Sequence, residues 1–279
     1  MKKLLPYIAI LCLFSIQSLA QDLRIPQPST AQKIEQDFGL GQITISYSRP
    51  NAKGRKVFDG MEPYGLVWRT GANNATKIKL TDTFNVEGHS LPPGEYGFFT
   101  IPGAKEWTII FNSVANQWGA YSYDSTKDVL RFKVKPGVLD KKTETFTIQF
   151  VNTTNERCEL QLLWENTVVP IHWQTDADAR VMANIDRAMM AERKPYYFAA
   201  IYYYNHDKDM NKALAWINEF EKAQPQADNA KYWKARILLK KGDKQAAIAT
   251  AKEGIKLATD SADPEYLRLN KEVLAEASK

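Results

Sequence analysis

From Gln42 onward, apolar and polar positions alternate. Ile43, Ile45 and Tyr47 interleave with Thr44, Ser46 and Ser48, the period-two pattern of a strand with one buried face. Pro50 ends the run, and Gly54 and Gly60 break the loop behind it. The pattern returns at Thr76–Leu80, where Ile78 and Leu80 alternate with Lys77 and Lys79. Phe84–Val86 leads into a short hairpin at Gly88. Pro92-Pro93-Gly94 reads as a turn before an aromatic strand at 95–101, and Trp107–Asn112 follows. Leu130, Phe132 and Val134 then alternate with charged neighbours, and Phe146, Ile148 and Phe150 with polar ones. Segments 158–165 and 168–173 close the series. About nine short strands joined by turn chemistry predict an all-β sandwich or barrel, jelly-roll order included, over residues 41–173. No helical period of useful length lies inside it.

Residues 21–40 open with Pro26 and Pro28 and read as an extended N-terminal arm. Residues 1–20 read as a signal peptide. Lys2 and Lys3 precede an apolar run interrupted only by Pro6, and Ser18-Leu19-Ala20 offers a small-x-small cleavage pattern that leaves Gln21 first. The run is too short to span a bilayer comfortably. Leu11 stands before Cys12 where a lipoprotein needs a small residue. The expectation is an exported protein, periplasmic or extracellular, with no membrane span in the mature chain.

After Trp173 the pattern turns helical. Asp176 is placed to cap a segment with Val181, Ile185 and Met189 on one face, and Pro195 suits a first helical turn. Lys212-Ala213-Leu214 and Ala246-Ala247-Ile248 recur at a spacing of 34 residues, the tetratricopeptide period. Pro225, Ala235 and Gly242-Asp243 fall where such a repeat ends, places a small residue and turns between helices. Phe220 and Ile201 stand where small residues are expected. Residues 174–279 therefore read as a small all-α, tetratricopeptide-like domain, and degenerate α-hairpins fit the same signal. The aromatic run YYFAAIYYY from Tyr196 to Tyr204 serves either core packing or a groove for a protein partner.

The formal charge of +5 falls to +3 once Lys2 and Lys3 leave with the leader, too little and too dispersed to argue for nucleic acid. Cys158 is then the one cysteine left. On a strand beside Leu160, Leu162 and Trp164 it reads as a buried small hydrophobe, with a reactive thiol as the alternative. His89, His172 and His206 are far apart, so neither metal nor cofactor is expected. No GxSxG elbow or phosphate loop occurs.

The chemistry gathers between Tyr47 and Thr76. YSRP-x-x-KGR-x-x-F, PYG-x-VWRTGAN-x-AT, LPPGEYGFFTIPG, W-x-x-IFN, QWGAY-x-YD and LLWENT resemble the hallmark blocks of a bacterial exported family, domain-of-unknown-function family 2911. The resemblance covers the β domain and carries no activity. The residues themselves offer planar donors and flat rings. Arg49, Arg55, Arg69, Asn73 and Asn74 can hold a carboxylate or phosphate. Tyr64, Trp68, Trp118 and Tyr121 can stack on a sugar or ring. Together they predict a polar pocket for a small ligand or glycan, in a binding module rather than an enzyme. A hydrolase would draw its acid from Asp124, Asp128 or Glu165. In a purely structural protein the arginines would instead pair with carboxylates such as Glu62, Asp124 or Glu165, and the tryptophans would be core.

Overall fold

The computed structural model describes residues 25–279. The signal-peptide expectation for residues 1–20 lies outside the described residues. Two compact units divide after Asp176, and each is described by itself.

The first unit holds ten strands among the described residues: β1 Thr30–Phe38, β2 Gly41–Arg49, β3 Thr76–Leu80, β4 Phe84–Val86, β5 His89–Leu91, β6 Gly94–Ile101, β7 Trp107–Asn112, β8 Asp128–Val134, β9 Gly137–Val151 and β10 Arg157–Gln174. They form two antiparallel sheets, one in the order β1-β2-β3-β6-β7-β8 and one in the order β5-β4-β10-β9. The alternation of β2 and β3 is realised directly. Ile43, Ile45, Ile78 and Leu80 are buried, and Thr44, Ser46, Lys77 and Lys79 face outward. Inward residues of both sheets build one core, in which Trp107 and Phe111 of one sheet meet Phe146, Leu162, Trp164 and Trp173 of the other. Trp68 lies among them. It stacks on Trp164 at 5.7 Å and meets Phe146 edge-on at 5.0 Å.

Three expectations change. The extended arm ends in a paired strand, because β1 lies antiparallel to β2 as one edge of the larger sheet. Its inward positions are Gln32, Ile34, Gln36 and Phe38, so only two apolar residues mark it, and an edge strand needs few. Segments 158–165 and 168–173 are one strand. Glu165, at φ 53°, sits between two register shifts where β10 pairs with β9. The polar Glu165-Asn166 step is thus a bulge within a continuous ladder and not a break. Strand β9 begins eight residues before Thr145, through a polar stretch that pairs with the far half of β10.

The sulfur of Cys158 is buried on the inner face of β10, and burial pushes its thiol up to about 12. Native protein is therefore expected to react with a disulfide reagent at pH 8 far more slowly than denatured protein. Equal rates would show that β10 opens at this point.

The second unit contains α1 Asp178–Ala188, α2 Tyr196–Asn205, α3 Met210–Ala223, α4 Asp228–Lys240, α5 Lys244–Asp260 and α6 Pro264–Ala277. From α2 onward each helix packs on the next. Asp176 is not the cap of α1: Ala177 holds that position, with no side-chain hydrogen bond. Pro195 is the N-cap residue of α2. The spacing of 34 survives in the structure. Asp209 and Asp243 cap α3 and α5 through their carboxylates, and Ala213 and Ala247 are fully buried at the fourth position of each helix. The aromatic run is spent mainly on packing. Tyr203 meets Trp216 at 4.6 Å and Tyr197 meets Phe220 at 4.8 Å, while Phe198 faces solvent. No described helix is long and apolar enough to cross a membrane.

Candidate functional site

The chain between β2 and β3 leaves one sheet, touches the other and returns. Arg49 ends β2 and donates from Nε to the carbonyl of Phe146 (3.0 Å) and from Nη2 to the hydroxyl of Thr147 (2.7 Å). Its guanidinium therefore ties β2 to β9. Tyr47 helps, accepting from the N–H of Ile148 and donating to Gln32. Ala52 then donates to the Glu144 carbonyl, and Lys53 donates its N–H to the Glu144 carboxylate. Arg55 folds back on its own loop, bonding the carbonyls of Ala52 (2.9 Å) and Asn51 (2.8 Å).

The return path is set by Trp68-Arg69-Thr70-Gly71. Trp68 exchanges backbone hydrogen bonds with Thr100, and its indole N–H donates to Gly71 O. Thr70 is fully buried at φ 52°, an uncommon conformation for a β-branched residue. It is held there by its hydroxyl bond to Thr100 and by the Thr76 hydroxyl on its carbonyl. Gly71 sits at φ 153°, and a Cβ there would stand 2.9 Å from the Ser48 carbonyl, so the turn requires glycine. This anchored backbone aims Arg69 into a cleft of about 540 Å³, lined also by Asn51, Lys53, Arg55, Met61 and Glu62.

The three arginines differ in what they have left to offer. None pairs with a carboxylate among the described residues, contrary to the structural alternative. Arg49 and Arg55 are committed to the protein by the bonds above. The Arg69 carbonyl accepts from the Thr76 N–H, but its side chain makes no hydrogen bond, ion pair or ring contact among the described residues, and its Nε–H is buried without an acceptor. An orphaned guanidinium donor at a cleft is expensive. Glu62 stands in the same cleft. Burial raises its carboxyl to about 7, and the charge of Arg69 only partly opposes this.

The other predicted residues go elsewhere. Trp68 is core, 3% exposed. Asn73, at φ 58°, donates to Ser29 O and Ser48 Oγ, pinning its loop to the start of β1 and to β2. Tyr64 and Tyr121 are exposed, and neither lines the cleft. Asn74 and Trp118 come together away from the arginines, joined by a backbone bridge. None of the three candidate acids lines the cleft, and each is engaged in hydrogen bonds elsewhere. Asp124 caps a short 3-10 turn, and bonds from Thr126 hold its carboxyl below the usual range. Asp128 accepts from Asn112, Tyr123 and Arg131, and Glu165 accepts from the N–H of Val57 and from Lys142. Glu62, which the sequence marks only as a salt-bridge partner, is the acid of the cleft. No periodicity marks it, since it lies in a turn whose burial depends on the returning chain. No cluster of His, Cys, Asp or Glu able to hold a metal ion occurs among the described residues.

Fold and cleft together define a two-sheet β domain with an arginine-lined cleft, followed in the chain by a helical unit. Residues 29–173, just over half of the chain, match the family described as Protein of unknown function (DUF2911). The chain belongs to that family. No curated protein and no solved structure matches it.

Proposed function

We propose that the β domain is a binding module for a small anionic molecule presenting carboxylate or phosphate oxygens, held in the cleft by Arg69. The observation that carries this reading is the guanidinium of Arg69, which uses none of its donors among the described residues yet is fixed by a strained, hydrogen-bonded turn. A planar fork of donors placed in this way fits two parallel hydrogen bonds to an anion. Lys53 and Arg55 add positive charge at the rim, and Asn51 adds a neutral amide. Glu62 couples the site to pH. An incoming anion favours the neutral carboxyl, so binding takes up a proton and strengthens as pH falls from 8 to 6.

The test is a thermal-shift and calorimetric titration of the full mature chain with inorganic phosphate, sugar phosphates and small mono- and dicarboxylates. A ligand at 100 times its Kd stabilises by about 2.7 kcal/mol, a shift of several degrees in a domain of this size. Arg69→Lys should weaken binding by about tenfold or more through loss of the fork. Glu62→Gln should retain binding and flatten its pH dependence. No shift with any of these anions, or an unchanged affinity in Arg69→Lys, would overturn the reading.

Glu62 also favours a second reading. An acid poised near neutrality beside an unpaired arginine is the composition of an acid–base site, with Glu62 in the role that the sequence offers to Asp124, Asp128 or Glu165. Turnover of a bound anion that stops in Glu62→Gln while binding persists would select it. The apolar run and cleavage pattern in residues 1–20 support export to the periplasm or beyond. N-terminal sequencing of the secreted chain, expected to begin at Gln21, tests this. The spacing of 34 between capped helices supports a tetratricopeptide-like unit able to hold a protein partner.

A further inference from the structure

A second surface lies outside the arginine cleft and shares no central lining residue with it. It is the outer face of the six-stranded sheet where β1, β2 and β3 run side by side. Three shallow cavities of about 400, 260 and 310 Å³ overlap there, and Lys77 lines all three. They follow β2 and β3 from Gln42 and Thr81 toward Ser48 and Asn74, then reach the loop that ends at Trp118. The floor is open because the outward side chains are short, with Ala31, Ser46, Ser48 and Ala75 along the central cavity. The walls are polar. Lys77 bridges Glu95 and Asn116, and the side-chain amide of Asn74 makes no hydrogen bond among the described residues.

Trp118 closes the far end. It is 63% exposed and makes no ring contact among the described residues, unlike the buried Trp68, Trp107, Trp164 and Trp173. Its backbone is nevertheless rigid. Ala75 donates to Gln117 O and Gly119 donates to Asn73 O, both at 3.0 Å, on either side of the Asn74–Trp118 bridge. The loop beyond is packed onto the sheet by Phe99, Ile110 and Tyr123. The indole is thus an apolar plate on a fixed mount, at the end of a trough of amides, hydroxyls and lysines. The acids Glu35 and Glu95 offset the lysines, so the surface is not strongly charged.

We infer that this trough is a binding site for a linear, uncharged oligosaccharide, with Trp118 as the stacking platform. A sugar ring has an apolar C–H face and a rim of hydroxyls. The face suits an exposed indole, and the rim suits side-chain amides, which donate and accept, and lysines, which donate. The pinned loop spares the entropy of ordering the platform on binding. The elongated, overlapping cavities fit a chain of rings rather than one compact molecule.

The experiment is titration of the full mature chain with linear β-linked hexasaccharides of glucose, N-acetylglucosamine, mannose and xylose, followed by isothermal calorimetry. At least one should bind. Trp118→Ala, a change at an exposed position, should weaken it by roughly tenfold. Trp118→Phe should recover part of the loss, and Arg69→Lys should leave it unchanged. Circular dichroism of each variant checks the fold. Failure of all four oligosaccharides to bind, or equal binding by Trp118→Ala, overturns the inference. So does sedimentation showing that the chain self-associates and that Trp118→Ala abolishes this. Loss of binding in Arg69→Lys would move the sugar to the cleft and equally overturn it.

Discussion

Trp68→Ala is expected to destabilise the β domain by about 3–5 kcal/mol, the range for deleting a large buried aromatic. The effect is large because Trp68 is not attached to one neighbour. Its ring stacks on Trp164 and meets Phe58, Trp107 and Phe146, so truncation leaves a void bounded by both sheets. It also orphans the carbonyl of Gly71, which accepts the indole N–H at 3.1 Å in a buried setting. Against a total of about 5–15 kcal/mol for a typical domain, the variant stands near the limit of folding. Calorimetry should show the β-domain transition lowered by roughly 10 °C or more. A fall of only a degree or two would mean that the aromatic cluster does not carry the sandwich. Arg69, the next residue, is aimed by the same turn. Loss of ligand in Trp68→Ala would therefore report unfolding and not a stacking contact.

Glu62→Gln is expected to stabilise the protein at pH 8 and to leave it nearly unchanged at pH 4.5. In the unfolded chain the carboxyl titrates near 4.5, and in the fold burial raises it to about 7. The native state therefore prefers the neutral form. The contribution of Glu62 is fully favourable below pH 4.5, declines as pH rises between 4.5 and 7, and is lost above 7. A shift of this size corresponds to about 3 kcal/mol at 1.36 kcal/mol per pH unit. The cleft is open to solvent, so screening reduces the expected gain at pH 8 to about 2 kcal/mol. Chemical denaturation of both proteins at pH 4.5, 6 and 8 measures it. A difference independent of pH would show that Glu62 is ionised throughout and already paired. Such an acid is retained against stability where it serves a site, which is why the same residue governs the predicted pH dependence of anion binding.

Several elements are legible in the amino-acid sequence because their signal is local. In β2, β3 and β8 one face is turned inward and the next is not, so every second residue reports its side. The recurrence of Lys212-Ala213-Leu214 at Ala246-Ala247-Ile248 marks two helices at equivalent positions, because the small residue that a close helix contact needs repeats with the unit. The resemblance blocks between Tyr47 and Thr167 likewise locate the β domain. Signals of this kind need no knowledge of where distant segments lie.

What the tertiary structure decided is partnership across distance. Arg49, Arg55 and Arg69 are equal as residue types, and their separate fates follow from which carbonyls lie within reach: Phe146 for Arg49, Asn51 and Ala52 for Arg55, and none among the described residues for Arg69. Asp124, Asp128 and Glu165 look available in sequence and are consumed by backbone and side-chain donors in the fold. Trp68 and Trp118 have similar polar surroundings in the chain, yet one faces the second sheet and the other faces water. Strand β1, with two apolar residues, pairs because β2 offers it a free edge. The amino-acid sequence by itself determined most of the strands, the helical character of the second unit and the order of the two, since those depend on local periodicity. The cleft with the uncommitted guanidinium of Arg69, the acid beside it and the exposed tryptophan on the outer sheet depend on hydrogen bonds and burial between segments far apart in the chain, which only folding brings together.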